Sequence, residues 1–323
     1  MINLLKRLML THGVSGRENL IREAIRKEVE PYADEVTIDA MGNLIAHKKG
    51  SGKRVMFGAH MDEIGYFATH IRSNGLISVA PIGGINLISG AFTGVVSEGG
   101  VVGVLGTAVK GAPDADDVFI DIGATDKRQA EKRVKVGDSF VHTPSITHLM
   151  GTRYVGRPFD DRVGCAILIE VLKNVKSTEN DLYFVFTVQE EVGCRGARPV
   201  TYSVEPDIAI ALDVTRTDDK GGDTLNVSIG KGPTIKIKDA SVICSHELVL
   251  KMRELAREGK IKYQDEMLSR GGTDTSSMQI AKRGCRAGAI SIPCGYIHTG
   301  IEMIDMKDVR GAVRLATLIA ERI

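Results

Sequence analysis

No tryptophan occurs in the chain, and aromatic residues supply only 5% of its 323 positions. Such a set is poorly suited to stacking on sugar rings, which weighs against a carbohydrate-processing site. Its five cysteines, Cys165, Cys194, Cys244, Cys285 and Cys294, are odd in number and scattered, and none stands in a Cys-x-x-Cys pair. Neither a disulfide framework nor a zinc ribbon is indicated, and a reducing, cytoplasmic compartment fits. Neither sign of charge prevails: 42 Lys and Arg face 41 Asp and Glu, for a net charge of +1. A basic stripe that holds nucleic acid would unbalance that count, so no nucleic-acid partner is expected. No apolar run approaches the ~20 residues that span a bilayer, so no membrane partner is expected either. The opening stretch MINLLKRLMLTHGVSGRE breaks its apolar residues with Lys6 and Arg7 and lacks a small-residue cleavage site. It reads as an amphipathic helix rather than a signal peptide.

What is present is the 43% hydrophobic and 26% charged composition of an ordinary globular protein, long enough to bury a large core. A helix is expected within Arg17–Val29, then strands at DEVTIDA, NLIAHKK and KRVMFGAH, the last apolar enough to be buried. From Tyr66 to Arg157 the character changes. Gly-punctuated, Val/Ile-rich pieces such as GLISVAPIGG, TGVVSEGGVVGVLGTAVKG and DVFIDIGA carry almost no helical periodicity and suggest a separate small β-barrel or sandwich. Helix and strand alternate again through DRVGCAILIEVLKNV, LYFVFTVQEE, DIAIALDV, SHELVLKMRELAREG and RAGAISIP, and an amphipathic helix from Asp305 closes the chain. The expected fold class is α/β: an open sheet with helices on both faces, a three-layer α/β/α unit from residues 1–65 and 158–323, split by a β-rich insertion at 66–157.

Candidate chemical groups gather where those strands end. His60 ends KRVMFGAH, Glu190 and Glu191 end LYFVFTVQEE, Asp213 lies at the end of DIAIALDV, and His298 follows RAGAISIP. Carboxyl ends of strands in open α/β sheets deliver side chains from distant positions into one crevice. Imidazoles and carboxylates together suit Zn²⁺, Co²⁺ or Mn²⁺ without help from cysteine. His60 and Asp62 form a His-x-Asp in which the carboxylate can orient the imidazole, although such a pair is more often a plain polar contact. Asp160 and Asp161 precede a helix, where an acid ordinarily caps; one carboxylate there can instead bridge two cations ~3.5 to 4 Å apart. Glu190 and Glu191 follow an apolar strand, so that one can ligate while the other takes a proton from water. A solvated loop is the plain alternative. His12, His47, His70, His142 and His148 lack placed acidic partners and read as structural or solvated. The glycine-rich RGGTDTSSM precedes a helix but lacks the phosphate-loop pattern.

The segments GAHMDEIG, RPFDDRVG, VQEEVGCRGA, ALDVT, GKGP, RGGTDTSS and YIHT, in this order over nearly the whole chain, closely resemble the tetrahedral-aminopeptidase family, which includes glutamyl aminopeptidases and cellulase-M-like proteins. That resemblance implies a phosphorylase/peptidase-like catalytic domain and two divalent metal ions per subunit, Zn²⁺ or Co²⁺, with Mn²⁺ also possible. One ion would be held by His60 and Asp213 and the other by Glu191 and His298, with Asp160 bridging. Glu190 would be the general base and Asp62 would orient His60. The insertion becomes a PDZ-like dimerisation domain, with dimers assembling into a tetrahedral dodecamer that admits peptide substrates. TDTSSM departs from the family pattern, and Gly271–Ser277 receives no role from it.

The implied activity is removal of N-terminal residues from peptides, with metals activating water and polarising the scissile carbonyl. Three rival readings have stated discriminators. A di-metal carboxypeptidase or N-deacylase would not require a free α-amine. An endoglucanase needs two carboxyls flanking one bond, and the neighbours Glu190 and Glu191 cannot easily face each other across a sugar. A non-catalytic metal-bound scaffold would tolerate Glu190→Gln.

Overall fold

The computed structural model describes residues 1–85, 87–109, 114–217 and 226–323. Eight strands form the larger sheet: β1 (Glu35–Ile38), β2 (Leu44–Lys48), β3 (Arg54–His60), β4 (Asp181–Thr187), β5 (Ile208–Arg216), β6 (Thr234–Lys238), β7 (Gln264–Met267) and β8 (Arg286–Cys294). Their order across the sheet is β1-β2-β4-β3-β5-β8-β6-β7. The central four, β4-β3-β5-β8, run parallel, while β2 and β6 pair antiparallel to them. Because both faces are covered, these strands are apolar at almost every position rather than alternating.

On one face pack helices Ile2–Met9, Asn19–Val29, Arg162–Asn174, His246–Glu258 and Met306–Arg322, sharing a core with Val55, Phe57 and Ala59 of β3. The first is amphipathic as expected, burying Leu4, Leu5, Leu8 and Met9; the second buries Ile21, Ile25 and Val29 at four-residue spacing. Helix Arg162–Asn174 is buried over nearly its whole length, between the sheet and the outer helices. The other face carries helices Ala197–Val204 and Thr275–Gln279, against Met56, Val185, Ala209 and Ala289. At Gly58 of β3, a Cβ would come within 2.3 Å of Met278 Cε, so a larger residue there would require the Met278 side chain of helix Thr275–Gln279 to move aside.

Between β3 and helix Arg162–Asn174 a second unit interrupts the sheet. Strands Gly65–Ile71, Ile77–Ile82, Val118–Asp121, Val102–Thr107, Gly94–Ser97 and Ser139–His142 close, in that order, into a barrel filled by Tyr66, Ile77, Val95, Leu105, Ile120 and Phe140. Closure leaves the barrel no free edge. Strands Ser145–His148 and Arg153–Arg157 stand outside it and form a three-stranded sheet with Glu302–Asp305 near the carboxyl end. The stretch 66–157 thus contains both the barrel and two strands paired with the larger unit, a division that β-rich composition alone does not reveal. Residues 86 and 110–113 of that stretch lie outside the described residues, as do the last two residues of TGVVSEGGVVGVLGTAVKG.

Candidate metal centre and active site

Parallel register decides which residues meet. Thr187 of β4 stands opposite His60 of β3, and the chain runs on from Thr187 to Glu190 and Glu191. On the other side Ala211 of β5 is opposite Gly58, so two residues further His60 and Asp213 emerge side by side. Strand β5 continues to Arg216, which puts Asp213 inside the strand rather than at its end. Asp160 and Asp161 come from the turn before helix Arg162–Asn174, joined by a cis peptide, and His298 from the loop after β8.

The seven residues to which the family resemblance gives roles converge. His60 Nε2 lies 3.1 Å from Asp160 Oδ1, and His298 Nε2 lies 3.3 Å from Asp160 Oδ2. His60 Nε2 is also 3.7 Å from Asp213 Oδ1, and His298 Nε2 is 3.2 Å from Glu191 Oε2. Each imidazole is set by a backbone carbonyl behind it: His60 Nδ1 is 3.0 Å from the Asp62 carbonyl and His298 Nδ1 is 2.9 Å from that of Gly84. Donation from Nδ1 fixes the tautomer that leaves Nε2 free to ligate. Asp62 therefore touches His60 chiefly through its carbonyl. Its carboxylate accepts from Ser15 Oγ at 2.6 Å and from the backbone N–H groups of Glu190 and Glu191 at 3.0 and 3.2 Å, holding the two glutamates in place.

Acid outweighs base here. Among the described residues no lysine or arginine forms an ion pair with Asp160, Glu190, Glu191 or Asp213. Burial opposes a charge on His298, but the Asp160 and Glu191 carboxylates prevail and lift its pKa to about 11. Burial likewise opposes a charge on His60, yet Asp160, Asp213 and Asp62 raise its pKa well above the usual imidazole value. Burial pushes Glu190 well above the ordinary carboxylate range; His60 opposes this and Asp213 adds to it. Glu191 Oε1 and Asp161 Oδ2 are buried with no hydrogen-bond partner. The upward pull on both imidazoles marks a surplus of negative charge that divalent cations would offset, and the orphaned oxygens have ligating capacity to spare. The donor set fits metal ions, and His60, Asp160 and Glu191 bring ligand atoms within 4.8 Å of one another, as do His60, Asp161 and Asp213. Asp161 also caps its helix as expected, Oδ1 accepting from Gly164 N at 3.0 Å.

Several residues that matter here escaped the sequence reading. Glu302 accepts from the N–H groups of Phe159 and Asp160 at 2.6 and 3.1 Å and from Arg157 at 2.9 Å, fixing the turn that carries Asp160. An acid between the apolar residues of IEMI was the available signal. The centre opens into a cavity of about 330 Å³ whose wall includes Arg216, Lys236, Arg270 and Gly271–Thr273, so the glycine-rich loop borders the site. Lys236 is held by Asp239 at 3.1 Å and Glu266 at 2.6 Å, whereas Arg216 and Arg270 are exposed. The reading of His47 as lacking an acidic partner is corrected: Asp181 Oδ1 lies 2.6 Å from its Nε2. Pairing of β2 with β4 brings that acid from 134 residues away, beyond local inspection.

Residues 42–315 match the family model described as M42 glutamyl aminopeptidase. A putative aminopeptidase of Acetivibrio thermocellus is 42% identical over 98% of this chain and 97% of its own length. The lysyl aminopeptidase of Pyrococcus furiosus is 35% identical over 99% of this chain and 96% of its own. Among solved structures, the Pyrococcus horikoshii TET1 peptidase, which can assemble into a tetrahedron or a large octahedral shell, superposes with a TM-score of 0.91 at 34% identity, covering 100% of this chain and 99% of that one. With its three-layer α/β sandwich and inserted barrel, this chain is a metal-dependent aminopeptidase and belongs to the M42 glutamyl aminopeptidase family.

Proposed function

We propose that the chain removes N-terminal residues from peptides at a centre of two divalent cations, Zn²⁺ or Co²⁺ with Mn²⁺ as a further candidate. His60 and Asp213 hold one ion, Glu191 and His298 the other, and Asp160 is shared. The observation that carries this reading is the Asp160 carboxylate, whose two oxygens face different imidazole nitrogens at 3.1 and 3.3 Å. When bound, the ions lower the pKa of water and polarise the scissile carbonyl. Glu190, on the cavity wall beside His60, takes the proton from the attacking water and delivers it to the leaving amine. Asp62 keeps Glu190 and Glu191 in register through their N–H groups, and orients His60. Arg216 and Arg270 on the cavity wall favour a peptide whose first residue is acidic.

Residues 66–157 serve as the dimerisation domain, and dimers close into a tetrahedral dodecamer; the shell formed by the similar TET1 peptidase supports this. Five cysteines free of disulfides support a cytoplasmic site of action, and among the described residues no helix is long and apolar enough to cross a membrane.

The test strips the protein with chelator, restores Zn²⁺, Co²⁺ or Mn²⁺ in turn, and measures release from a panel of aminoacyl-p-nitroanilides. Turnover should return with metal, vanish on N-acetylation of the substrate, and be highest on glutamyl or aspartyl substrates. Glu190→Gln should lower kcat on the order of 10³-fold with metal content unchanged. Turnover on N-acylated substrates alone would replace the aminopeptidase with a deacylase or carboxypeptidase, and a fully active Glu190→Gln would remove Glu190 from the chemistry.

A further inference from the structure

Glu190 also faces a second group of acids that peptide hydrolysis leaves unused. Cys194, in the same turn, directs its thiol to Glu190 Oε1 at 3.2 Å. Asp274, just before helix Thr275–Gln279, is only 3% exposed; its Oδ2 accepts from Thr187 Oγ1 at 2.5 Å, while Oδ1 is buried with no hydrogen-bond partner. One ligand atom from each of Glu190, Cys194 and Asp274 lies within 4.8 Å of the other two. Among the described residues none of the three is paired with a lysine or arginine. A buried carboxylate oxygen left without a donor is costly, and a cation would satisfy it. Sulfur sets this donor group apart from the imidazole and carboxylate set around Asp160, because thiolate ligands select Zn²⁺ and its softer analogue Cd²⁺ over oxygen-seeking ions.

We propose that Glu190, Cys194 and Asp274 form a third cation site, selective for thiophilic divalent ions, whose filling withdraws Glu190 from proton transfer and inhibits the peptidase. On binding, the Cys194 S–H bond gives way to a sulfur–metal bond, the proton leaves to solvent, and one oxygen each of Glu190 and Asp274 completes the ligand set; nothing is oxidised or reduced. With its carboxylate engaged, Glu190 no longer accepts the proton of the attacking water. Zn²⁺ then activates when scarce and inhibits in excess. The inhibitory half of the proposal rests on Glu190 as the general base; the binding half does not.

The experiment titrates Cd²⁺ into Co²⁺-loaded enzyme and follows two signals together: the ultraviolet thiolate-to-cadmium charge-transfer band and peptidase turnover. The band isolates this site, since the Asp160 centre has no sulfur ligand, and Cys285, the other cysteine with a partly exposed side chain, is controlled by Cys285→Ser. The expected result is a band that saturates at one thiolate-bound ion per chain, persists in Cys285→Ser and disappears in Cys194→Ser. Turnover should fall about tenfold or more as the band grows, and the inhibitory Cd²⁺ concentration should rise about tenfold or more in Asp274→Asn, the scale of losing one ligand or its support. No band, or a band that survives in Cys194→Ser, overturns the site whatever Glu190 does. A Cys194-dependent band with undiminished turnover overturns the inhibition. In that case an active Glu190→Gln places the fault in the general-base reading, and an inactive one places it in the link proposed between the two sites.

Discussion

His60 is 2% exposed at the end of a strand hydrogen-bonded on both sides, whereas His298 is 34% exposed and stands in a loop at φ +60°. Left-handed backbone is uncommon outside glycine, and where it persists the surroundings impose it. Register places Asp213 beside His60, so that half of the centre is built by the sheet itself. His298 depends on support from elsewhere: Glu191 from the turn after β4, and the Gly84 carbonyl from the loop leaving barrel strand Ile77–Ile82. The comparison separates a half that the core organises from a half assembled by loops. The expected consequence is unequal affinity, with the ion at His60 and Asp213 held more tightly than the one at Glu191 and His298.

Asp160 is the point at which the two halves cannot be separated, and its loss should have the largest effect. Asp160→Asn should deplete both ions and lower kcat/KM on the order of 10³-fold, with circular dichroism unchanged. Retention of both ions by elemental analysis would break the bridging assignment. Next in size is the difference between the halves themselves. Graded chelation should remove one ion per chain before the other, and His298→Ala should lack the first while keeping the second. Loss of both ions in a single step would erase the distinction between the halves. Glu302→Gln should follow at about 10 to 100-fold in metal affinity, because Glu302 fixes the Asp160 turn without touching an ion, and it should affect both halves alike. Loss confined to one half would show that Glu302 does not act through the shared carboxylate.

The half built by the sheet was also the more legible one in the sequence. KRVMFGAH and DIAIALDV announce buried strands by composition, and the carboxyl-end rule then places His60 and Asp213 in one crevice. Asp160, Glu190, Glu191 and His298 gained their sharp roles only from the ordered family segments, because a turn's geometry is not encoded in hydrophobic period. The Gly84 carbonyl carries no sequence signal at all, since any residue supplies a carbonyl and only the fold brings this one to His298. Asp274 was hidden similarly, in a glycine-rich stretch that lacks the phosphate-loop pattern and received no role. The barrel was visible as β-rich, but pairing of Arg153–Arg157 with Glu302–Asp305 spans about half the chain and leaves no local trace.

The smallest predicted effect tests the loop-built half most directly. Gly84 has no positive φ, so alanine meets no backbone penalty there, but its Cβ would lie 3.2 Å from His298 Nδ1, on the very atom that the Gly84 carbonyl holds. Crowding there tilts the imidazole and moves Nε2 relative to Asp160 and Glu191. Gly84→Ala should weaken the outer ion by about tenfold, at the mild end of such supporting contacts, and leave the ion at His60 and the thermal midpoint unchanged. Calorimetric metal titration of the chelated protein resolves the two binding steps. A shift in the tighter step would mean the halves are coupled through Asp160 more strongly than their separate supports imply, and no shift in either would reduce the barrel loop to a bystander at the centre's edge.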